Sequence, residues 1–131
     1  MASNREKRQL EQEVEGYLVR QVERLGGMCP KFDSVRGWPD RIVLLPAGVV
    51  AWVETKRPVG GVLSPAQLVV HEQLRRVGQQ VYVVWSQEEV DELLEDDERR
   101  LHLVRVVEAL KDARRNLRKR RGEDVSAEIK E

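Results

Sequence analysis

Residues 37–58 read GWPDRIVLLPAGVVAWVETKRP. Two short runs rich in Ile, Val and Leu flank a Pro-Ala-Gly break. β-branched runs bounded by turn residues are strands, and a break this short returns the second strand beside the first as a hairpin. Pro39 restricts Trp38 to extended geometry and so delivers the chain into the first strand. The charges are confined to the ends, with Asp40 at the entrance and Glu54-Thr55-Lys56 at the exit. Alternation puts Val50, Trp52, Glu54 and Lys56 on one face and Ala51, Val53 and Thr55 on the other. Glu54 and Lys56 then project together, their Cα atoms roughly 6.5 to 7 Å apart. The antiparallel return lays Asp40 beside the end of the strand that carries Glu54.

Two carboxylates held together repel each other unless a proton or a cation joins them. A divalent metal meets that need, because Mg²⁺ takes oxygen ligands in octahedral geometry and keeps waters that serve as nucleophiles. Lys56 beside such an ion can orient or deprotonate a water, or neutralise charge in a phosphorane-like transition state. This is the chemistry of phosphodiester hydrolysis. Glu-x-Lys alone equally describes a surface salt bridge in a chain that is 35% charged, and Glu128-Ile129-Lys130 is a second match. That second match follows no buried strand and has no aspartate in a turn ahead of it.

Around the hairpin, apolar residues at Leu10, Val14, Tyr17, Leu18, Val22 and Leu25 have helical spacing, and Gly26-Gly27 supplies a stop. "MCPKF" reads as a further strand before the turn "DSVRGWP". Ser64-Pro65 is a helix start with a capping hydroxyl and proline at the first helical position, and Gly78 ends that helix near residue 77. "VYVVW" is another core strand, and Ser86 to Glu89 has capping-box spacing for a short helix to about Glu95. A crossover helix between two strands joins them in parallel, so the sheet should be mixed and flanked by helices.

At 131 residues there is room for one core. Cys29 is the only cysteine, which excludes an internal disulfide and a Cys/His zinc site. The charged N-terminus has no signal-peptide core, and the longest apolar run is broken by Pro46 and Gly48, so a soluble cytoplasmic protein without a membrane segment is expected. The formal net charge is zero but uneven. Residues 98–122 carry ten basic and three acidic residues, against 13 and 20 elsewhere. Such asymmetry points to a polyanionic partner.

"GWPD", "ETK" and "LSPAQ" resemble the Gly-x-Pro-Asp, Glu-x-Lys and Gln motifs of the virus-type replication-repair nuclease (VRR-NUC) domain of the PD-(D/E)XK superfamily. The resemblance runs from about Glu11 to Leu94 and shows no departure in these motifs. It implies an α/β, restriction-endonuclease-like α-β-β-β-α-β core with a mixed sheet over residues 6–95. A C-terminal basic amphipathic helix over 96–122 and a polar tail over 123–131 follow. It also implies a Mg²⁺ or Mn²⁺ dependent endonuclease of DNA repair, with Asp40 and Glu54 as metal ligands, the Thr55 carbonyl completing the site, Lys56 catalytic and Gln67 supporting. Branched DNA such as a four-way (Holliday) junction, cut by a homodimer, is the substrate it suggests. The alternatives are a non-cleaving nucleic-acid-binding module on the same fold, or a protein-interaction domain working through the basic tail.

The superfamily takes a further acid from the first helix, where Glu11, Glu13 and Glu15 compete. Glu15, beside the Val14/Leu18 edge, is best placed, with Glu11 in reserve. Lys31 and Arg36 flank the turn into Asp40 and suit phosphate contacts or solvated loop positions equally. His71 reads as a helix-surface residue, Cys29 as a small buried hydrophobe, and Trp38, Trp52 and Trp85 as packing residues. In the tail, Leu103, Val107, Leu110, Ala113 and Leu117 form a stripe bordered by Lys111, Arg114, Arg115, Arg118 and Lys119. That basic flank is expected to meet DNA phosphates.

Overall fold

The structure, a computed structural model, describes residues 4–33 and 35–122. The polar tail and the second Glu-x-Lys lie outside the described residues. Helix α1 (Asn4–Arg24) leads to the hairpin of β1 (Arg41–Leu45) and β2 (Val49–Thr55). Helix α2 (Pro65–Arg76) crosses to β3 (Val81–Val84), and α3 (Gln87–Arg120) follows. The sheet order is β1-β2-β3, antiparallel between β1 and β2 and parallel between β2 and β3, as the crossover requires. The chain divides into two compact units, Met1–Asp97 and Glu98–Glu131. Among the described residues no helix is long and apolar enough to cross a membrane.

In the first unit, Val14, Leu18 and Val22 of α1 and Leu25 just after it are buried together with Val43 and Leu45 of β1 and Ala51 and Val53 of β2. Arg41 pairs with Val53 and Val43 with Ala51, so these side chains share one sheet face. The opposite face carries Trp52, whose ring lies 5.3 Å from both Phe32 and Trp38. That cluster assigns these aromatics to packing, as expected. Trp85 is fixed instead by donating its indole N–H to the Gly61 carbonyl at 3.0 Å.

Two local readings need correction. "MCPKF" is not a strand: it makes only isolated bridges, Met28 to Leu44 and Lys31 to Arg41. Pro30 has no N–H to give, so the segment cannot continue a ladder, although its carbonyl still accepts from Ile42 N at 3.1 Å. The ordered sheet therefore has three strands. The second difference is that the helix expected to end near Glu95 runs unbroken from Gln87 to Arg120. No Gly or Pro interrupts "EDDERRLHL", and its Glu, Arg and Leu are good helix formers, so nothing stops propagation.

The start of α2 has the capping hydroxyl and the proline the sequence suggested, and Gln67 completes a full capping box. Gln67 N donates to Ser64 Oγ at 3.2 Å and Ser64 N to Gln67 Oε1 at 2.8 Å, with Pro65 in the first turn. Gly37 sets how closely the preceding turn approaches this helix. Its φ is +87°, and an added Cβ would lie 2.7 Å from the Ala66 carbonyl. Only glycine allows that approach of the turn before Asp40 to the first turn of α2.

Candidate active site

Continuing the β1–β2 register by one rung sets Asp40 opposite Glu54. The two residues are locked reciprocally. Asp40 N donates to Glu54 Oε2 at 3.1 Å, while Thr55 N and Thr55 Oγ1 each donate to Asp40 Oδ2 at 3.2 Å. Both Thr55 bonds fall on one oxygen, so Asp40 Oδ1 is left for other partners. On the far side of Glu54, Gln67 Nε2 donates to Oε1 at 2.7 Å, and Lys56 Nζ lies 3.5 Å from the same oxygen. Gln67 thus spends its carbonyl on its own helix cap and its amide N–H on the buried acid.

Glu54 is only 1% exposed. Burial, and after it the negative charge of Asp40, push its carboxyl up to about 7, and Lys56 offsets this only in part. Two carboxyl groups therefore share one partly buried rung with a single lysine beside them. Oxygen donors of this kind are the donor set of a hard divalent cation. Among the described residues no group of three or more His, Cys, Asp or Glu side chains is arranged to hold an ion by itself. Such an ion would complete its shell with a backbone carbonyl, water or substrate phosphate, as Mg²⁺ ordinarily does.

Helix α1 places its acids differently from the order of preference the sequence suggested. Glu15 Oε1 accepts from Arg41 Nε at 3.0 Å, and Arg41 Nη1 also donates to the Cys29 carbonyl at 2.9 Å. Glu15 thereby ties α1 to β1. Glu11, one turn earlier, is the acid on which the Lys56 and Asp40 charges act. Its pKa is raised, first by burial, while Lys56 pulls it down and Asp40 pushes it up. Glu13 is exposed. Arg41 was not singled out by its sequence context, although its position directly after Asp40 was the available signal.

His71 is not on the surface. It is 1% exposed, and neither ring nitrogen has a hydrogen-bond partner among the described residues. Gln67, His71 and Leu74 form one inner stripe of α2 at i, i+4 and i+7, so the face that brings Gln67 to Glu54 also buries His71. Burial lowers its pKa, and the charges of Arg75 and Lys56 lower it further. Two unpaired polar atoms are costly in such a place. His71→Leu is expected to stabilise the fold by about 1 to 3 kcal/mol in urea titrations at pH 7. An unchanged or lower midpoint would mean that the ring makes a bond worth keeping.

Lys31 and Arg36 are exposed beside the turn into Asp40, with Lys31 Nζ 3.8 Å from Asp33 Oδ2. Cys29 is buried, and burial pushes its thiol up to about 11, which makes it unreactive. In the second unit, Lys111, Arg114, Arg115 and Arg118 line one shallow groove, where Arg115 Nη1 lies 3.3 Å from Asp112 Oδ1. Lys119 is exposed one residue further on.

No family model matches the chain. A protein of Acyrthosiphon pisum secondary endosymbiont phage 1, described as "Putative nuclease p44", is 44% identical over 80 residues, covering 60% of this chain and 85% of its own length. A solved structure described as a VRR_NUC domain aligns with a TM-score of 0.60 at 38% identity, over 65% of this chain and 94% of that one. With the Gly-x-Pro-Asp, Glu-x-Lys and Gln residues converging on one buried rung, the chain belongs to the VRR-NUC family of nucleases.

Proposed function

We propose that the chain is a divalent-metal-dependent endonuclease that hydrolyses phosphodiester bonds in branched DNA, four-way junctions among them, as a homodimer with one site for each of two strands. The observation that carries this reading is the Asp40–Glu54 rung, where burial, and after it the charge of Asp40, raises Glu54 to about 7 with Lys56 3.5 Å away. Asp40 through Oδ1, Glu54 and the Thr55 carbonyl would hold the ion, Mg²⁺ or Mn²⁺. Glu11, in preference to Glu15, would contribute the helix acid, since Glu15 is engaged by Arg41. Such an ion supplies positive charge against the developing charge on the phosphate and makes water easier to deprotonate.

The protein's own groups do the rest. Lys56, next to the scissile phosphate, orients the attacking water or neutralises charge on the phosphate oxygens. Gln67 holds Glu54 in place by donating to Oε1, and Thr55 holds Asp40 by donating to Oδ2. Lys31 and Arg36 at the turn and Lys111, Arg114, Arg115, Arg118 and Lys119 on α3 bind phosphates without reading bases.

Cleavage of labelled four-way junction, flap, nicked and linear DNA, with Mg²⁺ and with Mn²⁺, tests the reading directly. Metal-dependent incision of the junction ahead of the linear duplex is expected, and Asp40→Ala should abolish it. Binding without incision under every condition would make the chain a non-cleaving nucleic-acid-binding module. The cations of α3 have a separate signature. Each phosphate neutralised on duplex DNA contributes about −0.9 to the slope of log K against log salt. Replacing Lys111, Arg114 and Arg115 by alanine should flatten that slope by roughly 2 to 3 units in fluorescence-anisotropy titrations. An unchanged slope would remove α3 from the DNA interface.

A further inference from the structure

The second unit leaves a row of apolar side chains exposed. Leu103, Leu110 and Leu117 are 63%, 65% and 50% exposed, and Val106 and Val107 stand out beside them. The leucines recur every seven residues, and Val106 and Ala113 each follow a leucine by three. These are the a and d positions of a heptad, and that spacing keeps a narrow seam turned toward another helix of the same period. A second copy of α3 is such a helix.

Charge fixes the orientation. In an antiparallel pair an a residue meets a d residue of the other helix, which sets Leu103 opposite the partner's Ala113 and Val106 opposite the partner's Leu110, with the two-fold axis at Glu108. The same register brings Glu95, Asp96, Asp97 and Glu98 level with the partner's Arg121, Arg120, Lys119 and Arg118. An acidic block thus lies along a basic block at both ends of the apolar seam. A parallel pair would set each basic block beside its own copy, on a segment with ten basic and three acidic residues. Lys111 and Arg115 fall outside the a and d positions and away from the paired acidic and basic blocks, so pairing leaves them available to phosphates.

We infer that α3 is an antiparallel pairing helix, joining two copies of the chain through Leu103, Val106, Leu110 and Ala113. This rests on the homodimer proposed above and gives it a contact surface. Sedimentation velocity on the full chain at micromolar concentration should show a dimer, and Leu110→Asp should weaken it at least about tenfold, a change of about 1.4 kcal/mol. Val107→Cys, which meets its own copy across the two-fold axis, should form an oxidised covalent dimer, whereas Arg121→Cys should not; Cys29 is buried and does not compete. A monomeric wild type would overturn the pairing while leaving metal-dependent cleavage intact. A dimer indifferent to Leu110→Asp would place the interface elsewhere, and cross-linking through Arg121→Cys as readily as through Val107→Cys would reverse the orientation. Either result overturns the inference.

Discussion

Lys56→Ala should lower the rate of DNA cleavage by about 10² to 10⁴, the usual contribution of a positioned acid–base or electrostatic group. The physical complication is its neighbour. Lys56 is one of the groups that lower the pKa of Glu54, so removing it raises that pKa further and discourages ionisation near neutral pH. Two routes to inactivity are thus superimposed. They separate with pH: well above 7 Glu54 is ionised in either protein, and a deficit carried by Glu54 alone would fade. Retention of at least about a hundredfold deficit at pH 9 is expected if Lys56 acts on the phosphate or on water. Recovery of wild-type rates at pH 9 would reduce Lys56 to a tuner of Glu54. Asp40→Ala is the contrasting variant, since it should abolish Mn²⁺ binding in calorimetry as well as cleavage.

The rung on which these variants act was legible in the sequence alone. Alternation along VVAWVET and the short turn at PAG are enough to place Asp40 beside Glu54, because a hairpin has little freedom of register once its turn is fixed. The Ser64-Pro65 start of α2 was legible for a similar reason: the cap is local chemistry, and it carries Gln67 with it. What escaped depended on packing between elements. Whether Glu11 or Glu15 lies toward the site turns on the rotation of α1 against the sheet, where Arg41 donates to Glu15. The burial of His71 was available from its spacing to Gln67 and Leu74, but a polar residue on an apolar stripe reads as surface unless the stripe itself is trusted. Pro30 is the opposite case, a sequence signal against a continuous strand that the apolar character of its neighbours concealed.

The two buried titratable groups predict opposite pH responses of the metal-free fold. Glu54 has a pKa near 7 in the folded chain against 4.5 as its ordinary value, so the folded state holds a proton that the unfolded state releases. Stability is therefore full below about pH 4.5 on account of this group and is lost as pH rises through 7. A tenfold difference in proton affinity between the folded and unfolded chain is worth about 1.4 kcal/mol, which makes the loss on the order of 3 kcal/mol. His71 works the other way: its pKa lies below the ordinary 6.5, so the unfolded chain binds the proton more readily and stability is lost as pH falls below that value. Between 6.5, above which His71 no longer contributes, and about 7, metal-free protein should accordingly weaken as pH rises in urea titrations, and Glu54→Gln should flatten that descent. The slope is the diagnostic, because the amide also disturbs the bond from Gln67 to Glu54 and with it the absolute stability. On the proposed reading Mn²⁺ would bind the ionised carboxylate, so its stabilising effect should grow as pH passes 7 in the wild type and be largely absent in Glu54→Gln. If wild type and Glu54→Gln descended in parallel, the raised pKa of Glu54 would be refuted, and with it the argument that its burial beside Asp40 disfavours the bare carboxylate and suits a cation.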